Sequence, residues 1–247
     1  MMNTAGTFTE NGEPATVMSG GRVLIDRLRR GEWSLRALLI LLLIDVFVVA
    51  PIAQGDTLPA LQPVIHSIVL VLGVAIALRS RTAVLTVVGL LAVVSFVIHW
   101  TYHDHPTVAL GRADTALSLV FSAVVVGVVL FQVFRAGPIT LYRIEGAVTA
   151  YLLAAYAWAL AYQLVALSDP MAFNFPAAAL HPQNLRFRLL YFSTTTLASV
   201  GYGDITPLSS IARSLAALEG MIGQLFPVLL LARLVSMELQ SRQQVAQ

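Results

Sequence analysis

The chain has 247 residues, of which 57% are hydrophobic and 11% are charged, and its formal net charge is +2. Soluble domains carry about 25% charged residues, more than twice the share in this chain. The low charge and the mean hydropathy of +0.80 together predict an integral membrane protein. The chain has no cysteine, no Gly-rich phosphate loop and no Cys/His zinc spacing, which excludes thiol chemistry and the common nucleotide and zinc motifs. We therefore expect no enzyme, no cofactor and no nucleic-acid partner.

The N-terminal segment, residues 1–33, is expected to be cytoplasmic and not a cleavable signal, since a bilayer-length apolar stretch follows it. Residues 1–20 are polar and small, which is typical of disorder. The run "GRVLIDRLRRGEW" (21–33) alternates apolar residues with arginines. This pattern predicts a short interfacial helix on an anionic lipid surface, or else a solvated flank of the first span.

Six apolar segments are close to the roughly 20 residues that a spanning helix needs. The first four are expected to form a transmembrane domain over residues 34–134, with a cytoplasmic linker at 135–145. The fourth segment contains no arginine, so we do not expect a charged voltage-sensing helix. The first four spans are expected to form a structural or lipid-facing domain, or a binding site for an unknown regulator. The six predicted spans are 34–53, 60–78, 83–100, 115–134, 146–167 and 208–236.

The distribution of arginines predicts the orientation of these spans. All fifteen basic residues are arginines. With both termini in the cytoplasm, eleven of them fall in the inner segments and four in the outer ones. Because inner loops are enriched in basic residues, we expect a multi-pass protein of the cell inner (plasma) membrane with cytoplasmic termini. The long connection at 168–207 is then external.

Ionisable residues within the first four spans are candidates for functional sites. Asp45 lies mid-span with no basic residue at a matching depth, which favours a protonated bundle residue or a proton or ligand site. His99, His103 and His105 lie close together in "HWTYHDH". They predict either ordinary polarity at the headgroup interface or a metal or proton sensor. His66 is expected to be a bundle residue with satisfied hydrogen bonds.

The 168–207 connection contains the stretch "TTTLASVGYGDITP". Residues 168–184 read as an external loop, and 185–199 as a helix too short to span the bilayer, which is allowed only where its irregular end is buried or lines water. Gly201 and Gly203 accept positive φ, so successive carbonyls can point towards one axis. Four chains would then stack oxygen rings that replace the hydration shell of a K⁺ ion.

The stretch "SVGYGD" resembles the TVGYGD signature of potassium channels, and "YFSTTTLASVGYGDITP" resembles the pore loop of bacterial one-pore potassium channels. The resemblance covers residues 146–236 and implies an all-α pore domain with an outer helix, a re-entrant pore helix, a filter and an inner helix. It further implies a homotetramer in a lipid bilayer and passive K⁺ conduction. The implied filter residues are Ser199, Val200, Gly201, Tyr202 and Gly203, with K⁺ bound at the first four.

The resemblance also implies support around the filter. Asp204 would stand at the outer mouth, Tyr191 and Phe192 in an aromatic cuff, and Thr195 and Thr196 on the pore helix behind the filter. Three departures affect this pattern: Ser199 and Ala198 replace threonines, and Phe192 replaces a tryptophan whose N–H would hold Asp204. The alternatives are a less selective monovalent cation channel, or a non-conducting scaffold or transporter subunit.

The last span is expected to be the inner helix, followed by a cytoplasmic tail at 237–247. Ala212, Ala216 and Gly220 form a stripe suited to close helix packing. Gly223 and Pro227 predict a bend that is either a gate hinge or a fixed kink. Glu219 is expected to bond the pore-helix hydroxyls of Thr195 and Thr196, or to face the cavity, and Gln224 is expected to line that cavity.

Overall fold

The computed structural model describes residues 32–53, 61–78, 80, 82–135, 140–175 and 185–245. The disorder expected for 1–20, most of the interfacial helix expected at 21–33 and the second half of the external loop lie outside these ranges. The described residues are mostly α-helical and apolar, as the composition predicts. Their elements, in chain order, are α1 (Glu32–Ile44), a π-helical stretch (Asp45–Val49), α2 (Ala50–Ala53), α3 (Leu61–Ala77), α4 (Thr82–Asp104), α5 (Val108–Phe134), α6 (Leu141–Ser168), β1 (Phe173–Asn174), α7 (Leu185–Leu197), β2 (Thr206–Pro207) and α8 (Ser210–Val245).

Five helical segments in the described part of the chain are long and apolar enough to cross a membrane. The first of them joins α1, the π-helical stretch and most of α2 into one segment, Trp33–Ile52, and the others are α4, α5, α6 and the Ser210–Arg233 part of α8. The remaining predicted span corresponds to α3, whose apolar part, Pro63–Ala77, is shorter. The helices thus follow the order of the predicted spans.

The loop expected between the third and fourth spans is mostly helical. α4 continues to Asp104, and α5 begins at Val108 rather than at residue 115. Thr107 starts α5, because its side-chain oxygen accepts a hydrogen bond from the Leu110 N–H at 3.2 Å. A polar N-cap that satisfies a free backbone N–H stabilises a helix start. The predicted boundary was therefore wrong, and Asp114 lies inside α5.

The core of the chain is built around α6, which packs against α1, α5 and α7. Leu35, Leu38 and Leu42 of α1 are spaced on one helical face and are fully buried. In contrast, only 11% of the most apolar stretch of α8 is buried inside the chain, whereas 44% of the corresponding stretch of α6 is buried. The short β1–β2 pair joins Phe173 to Pro207, so it links the end of α6 with the segment that precedes α8.

Gly146 of α6 allows a close approach to α5. A Cβ atom at this position would lie 2.7 Å from Cγ2 of Val133, a stiff β-branched side chain. Replacing Gly146 with alanine should therefore destabilise the protein by about 1–3 kcal/mol through overpacking. The matched control is Gly89→Ala in α4, where the added Cβ would meet nothing within 4 Å. Thermal unfolding midpoints in detergent measure both, and equal midpoints would contradict close α5–α6 packing at Gly146.

Candidate functional site

The segment 199–204, called the GYG segment here, follows directly on the turn that ends α7. Every second residue from Ser199 to Gly203 has a positive φ: +57° at Ser199, +54° at Gly201 and +78° at Gly203. The positive φ expected for the two glycines is confirmed. That of Ser199 was not predicted, since a residue with a Cβ atom rarely adopts this conformation. Alternation of left- and right-handed residues turns successive carbonyls towards one side.

The N–H groups at the start of the GYG segment turn back onto the end of α7. Ser199 N donates to the Thr196 carbonyl at 2.9 Å, and Val200 N donates to the Thr195 carbonyl at 2.8 Å. Gly201 N donates to the same Thr195 oxygen at 3.2 Å. The last carbonyls of a helix lack partners within it. The GYG segment satisfies two of them, those of Thr195 and Thr196.

The side chain of Ser199 is held by α8. Gln224 Nε2 donates to Ser199 Oγ at 2.6 Å. The Ser199 hydroxyl is thus positioned by the neutral side-chain amide of Gln224. A threonine at this position would instead have its rotamer restricted by its methyl group. Gln224 was expected to line a cavity, and its bond to Ser199 was not evident from the sequence because the two residues are separated by 25 positions.

Tyr191 and Asp204 support the other end of the segment. The Tyr191 ring stacks on the Tyr202 ring with centroids 6.3 Å apart and planes 2° apart. Its hydroxyl hydrogen-bonds the Asp204 carboxylate, which also accepts from Ile205 N at 3.0 Å. The absence of an indole N–H at residue 192 therefore does not leave Asp204 without a donor. One position earlier in the helix, a tyrosine provides the donor.

Phe192 faces away from the GYG segment, into the protein core. Its ring makes edge-on contacts with Tyr162 of α6 at 5.1 Å and with Phe173 of β1 at 5.6 Å. Of the two aromatic residues expected around the filter, Tyr191 is the one that contacts the GYG segment, whereas Phe192 anchors α7 to α6. Adjacent residues on a helix point about 100° apart, which accounts for the difference.

Glu219 lies fully buried between α6, α7 and α8. Its carboxyl group contacts Tyr162 Oη at 2.5 Å and Ser193 Oγ at 2.5 Å. The prediction that Glu219 bonds α7 was correct, but the predicted partners were wrong. Thr195 Oγ1 instead donates to carbonyls of its own helix, at 3.0 and 3.1 Å, and Ser193 is the hydroxyl that faces α8.

The contacts of Ser193 indicate that Glu219 carries a proton. Ser193 Oγ lies 2.7 Å from the Ala155 carbonyl oxygen and 2.5 Å from Glu219 Oε1. A serine hydroxyl has one hydrogen to donate, and a carbonyl can only accept. If Ser193 donates to Ala155, the second short contact requires a donor on Glu219. A neutral carboxylic acid also avoids the cost of an unpaired charge at a buried position.

Gly223 allows α8 to contact the end of α7 directly. A Cβ atom there would lie 2.0 Å from the Leu197 carbonyl oxygen, the same oxygen that accepts a hydrogen bond from Tyr151 Oη at 3.0 Å. α8 is continuous from Ser210 to Val245 and contains Pro227. Close packing is thus one reason for glycine at position 223, while the hinge at Gly223 and Pro227 stays a prediction.

Ala212 of the small-residue stripe is buried, whereas a Cβ at Gly220 would meet open space in the chain.

The ionisable residues of the first helices do not group as predicted. His99 is buried and pairs with Asp114 of α5, with His99 Nδ1 and Asp114 Oδ1 3.0 Å apart, while His103 and His105 are exposed. Asp45 was expected to have no basic residue at a matching depth, yet Arg186 lines the same small cavity. Arg186, which the distribution of arginines places on the outer side, lies buried at the start of α7. Only the tertiary fold brings these residues together.

The contact of Gly223 with Leu197 leads to a prediction about stability. Gly223→Ala should destabilise the protein by more than the about 1–3 kcal/mol of ordinary overpacking, because the clash is with backbone that cannot move aside. The matched control is Gly220→Ala, one turn earlier in α8, where the new methyl group has space in the chain. Thermal midpoints in detergent measure both. If Gly223 served only as a hinge, the thermal midpoint of Gly223→Ala would instead be close to that of Gly220→Ala.

The proton on Glu219 leads to a second prediction. Glu219→Gln should keep a thermal midpoint close to that of the unchanged protein, because the amide can donate to Ser193 and accept from Tyr162. Glu219→Ala should lose about 1–3 kcal/mol by leaving buried polar groups unpaired. If the glutamine variant were as unstable as the alanine variant, an ionised carboxylate would be required instead.

Comparison with known proteins agrees with the position of this site. Residues 150–240, from within α6 to within α8, match a family described as ion channel. Two curated relatives, each named Protein LctB, from Bacillus caldotenax and Geobacillus stearothermophilus, are 44% and 46% identical over 46 residues. These 46 residues are 19% of this chain and 34% of each relative, so the chain spans about a third of the length of the curated relatives it matches. No solved structure matches significantly. The family match supports an ion-channel function, located in the part of the chain that holds the GYG segment.

Proposed function

We propose that this protein is a potassium-selective channel in which backbone carbonyls from four copies of the GYG segment coordinate K⁺. The observation that carries this proposal is the alternation of positive φ at Ser199, Gly201 and Gly203. In a regular strand, successive carbonyls point in opposite directions. When every second residue has a positive φ, several successive carbonyls can point the same way. Rings of such carbonyls replace the hydration shell of the ion.

The ion would be bound by oxygens of Ser199, Val200, Gly201 and Tyr202, with Gly203 completing the turn. The N–H groups at the start of this stretch bond the end of α7, so they do not oppose a cation on the other side. The C-terminal end of α7 adds partial negative charge from its helix dipole without a carboxylate. K⁺ then passes down its gradient, and no covalent chemistry takes place.

The exposure of the chain on its own supports an assembly of several copies. Val200 and Tyr202 are 52% and 71% exposed, and most of the apolar surface of α8 is uncovered. One chain supplies one GYG segment, which cannot surround an ion. Packing of α8 against neighbouring copies would cover its apolar residues and close the ring, so the proposed assembly is a homotetramer.

The length of α7 is consistent with a re-entrant pore helix. Its 13 residues extend about 20 Å, which is too short for a hydrocarbon core of about 30 Å. The β1–β2 pair brings the chain that leads into α7 next to the chain that follows the GYG segment. Such a loop would enter and leave on one side, the outer side of a plasma membrane, with both termini in the cytoplasm.

A less selective monovalent cation channel is the second candidate, and Ser199 is the observation that favours it. This residue adopts a left-handed conformation, which costs a residue with a Cβ about 1–2 kcal/mol. The bond from Gln224 compensates by holding the hydroxyl. If that bond breaks readily, the innermost oxygen ring loosens and discriminates less between K⁺ and Na⁺.

A flux assay in liposomes tests the proposal. Gly201→Ala should reduce K⁺ flux by at least about 100-fold, because four copies each lose about 1–2 kcal/mol at a left-handed position. A Cβ at Gly201 would meet nothing within 4 Å, so strain rather than a clash is tested. The matched control is Gly127→Ala in α5, where the added methyl also has space but φ is ordinary, and its flux should be unchanged.

Three outcomes would contradict the proposal. Equal K⁺ and Na⁺ fluxes would favour the less selective channel. The absence of flux in every condition would favour a scaffold or a transporter subunit. A monomer or dimer in native mass spectrometry would exclude a four-fold ring.

A further inference from the structure

The GYG segment is held by α8 as well as by α7. The contact is made by Gln224, whose Nε2 donates to Ser199 Oγ at 2.6 Å. Both residues are exposed in the chain, so neither side chain is fixed by burial. In the proposed channel, Ser199 provides the innermost ring of oxygens. This hydrogen bond therefore connects α8 to the ring that an ion from the cytoplasmic side reaches first.

The Ser199 hydroxyl needs such a partner in order to keep one direction. A serine side chain has three staggered rotamers, whereas the methyl group of a threonine excludes some of them. Gln224 is the partner that the described part of the chain gives to this hydroxyl. A change of rotamer would carry the oxygen away from Gln224 and break the bond. The bond therefore selects the rotamer of Ser199.

The direction of this bond leaves the hydroxyl able to bind a cation. A serine oxygen has two lone pairs and one hydrogen, and the N–H of Gln224 occupies one of the lone pairs. The second lone pair is left for a cation, and the hydroxyl hydrogen points away from that cation because the cation repels it. The contact thus positions the oxygen without using all of its capacity as an acceptor.

The part of α8 that carries Gln224 is fixed against α7. The neighbouring Gly223 packs so closely that a Cβ atom there would lie 2.0 Å from the Leu197 carbonyl oxygen. Earlier in the same helix, Glu219 contacts Ser193 Oγ at 2.5 Å. Two anchors on one helix determine the height and the rotation of α8 at residue 224. A group on such a rigid element is held more precisely than a group on a loop.

A single neutral hydrogen bond is a modest interaction, but four copies would act on one ion. In the proposed tetramer, each α8 contributes one amide and each GYG segment contributes one hydroxyl to the same ring. Small energies at four equivalent oxygens add up at the ion that they share. Selectivity is itself a small difference between the binding of two cations, so a modest bond is sufficient to change it.

We infer that Gln224 is a positioning residue that determines selectivity by holding the Ser199 hydroxyl, an inference that rests on the proposed channel function. Na⁺ is smaller than K⁺, so the oxygens that replace its hydration shell have to come closer to it. Four hydroxyls held by four α8 helices resist this movement, whereas free hydroxyls can rotate towards the smaller ion. The discrimination between K⁺ and Na⁺ is therefore determined by α8 as well as by the GYG segment.

Reversal potentials with K⁺ on one side of a planar bilayer and Na⁺ on the other test the inference, because they report relative permeability rather than the amount of working protein. Gln224→Met has a side chain of similar length without a donor. It should lower the K⁺/Na⁺ permeability ratio by about tenfold or more, because four copies each lose a hydrogen bond. The matched control is Leu225→Met at the next exposed position of α8, which should keep the ratio.

Two further variants show whether Gln224 acts through Ser199. Ser199→Thr restricts the hydroxyl by its own methyl group, so Gln224→Met should have little effect on the ratio in that background. Ser199→Ala removes the hydroxyl, so Gln224→Met should likewise add nothing there. If Gln224 only stabilised α8, Gln224→Met would instead lower the thermal midpoint in every background and leave the permeability ratio unchanged, which would overturn the inference.

Nuclear magnetic resonance of the full chain in lipid nanodiscs tests the hydrogen bond without ion flow. The side-chain amide signals of Gln224, identified by their loss in Gln224→Met, should shift in Ser199→Ala and not in Leu225→Met. Signals that ignore Ser199→Ala would overturn the inference.

Two results separate the possible failures. K⁺-selective flow that Gln224→Met leaves unchanged would overturn the inference alone, and the proposed function would stand. Absence of K⁺ flow through the unchanged protein would contradict the proposed function and overturn the inference with it.

Discussion

The reversal of the backbone at the end of α7 is the interaction on which the rest of the candidate site depends. Three N–H groups of Ser199, Val200 and Gly201 return to the carbonyls of Thr195 and Thr196. These bonds satisfy the end of the helix and at the same time orient the segment that follows. Glycine removes the steric cost at two of the three left-handed positions. The geometry is therefore determined locally, by bonds to the helix immediately before it.

The surrounding helices stabilise this reversal from behind. Gly223 lets α8 approach the Leu197 carbonyl, Gln224 holds the Ser199 hydroxyl, and Glu219 joins α8 to Ser193 of α7. The contact between Glu219 and Ser193 is short and buried, where an unmet hydrogen bond is costly. α8 thus contacts both the end of α7 and the start of the GYG segment. The last turns of α7 are their common support.

The start of α7 is held by a different set of contacts. Arg186 inserts between the N-terminal helices and lines the same small cavity as Asp45, while Phe192 anchors the middle of the helix in an aromatic cluster with Tyr162 and Phe173. The first helices thus have a physical connection to α7 although the fourth predicted span carries no arginine.

Composition and local pattern were sufficient to predict an apolar all-α protein, the order of its helices and the position of the GYG segment. They succeed because bilayer-length apolar runs and glycine at left-handed positions are local requirements. The pairing of His99 with Asp114 and of Glu219 with Ser193, and the position of Arg186 beside the same small cavity as Asp45, were decided by the tertiary structure alone. These partners are 15 to 141 residues apart in the sequence, and which buried polar groups meet depends on helix packing, which no local pattern encodes.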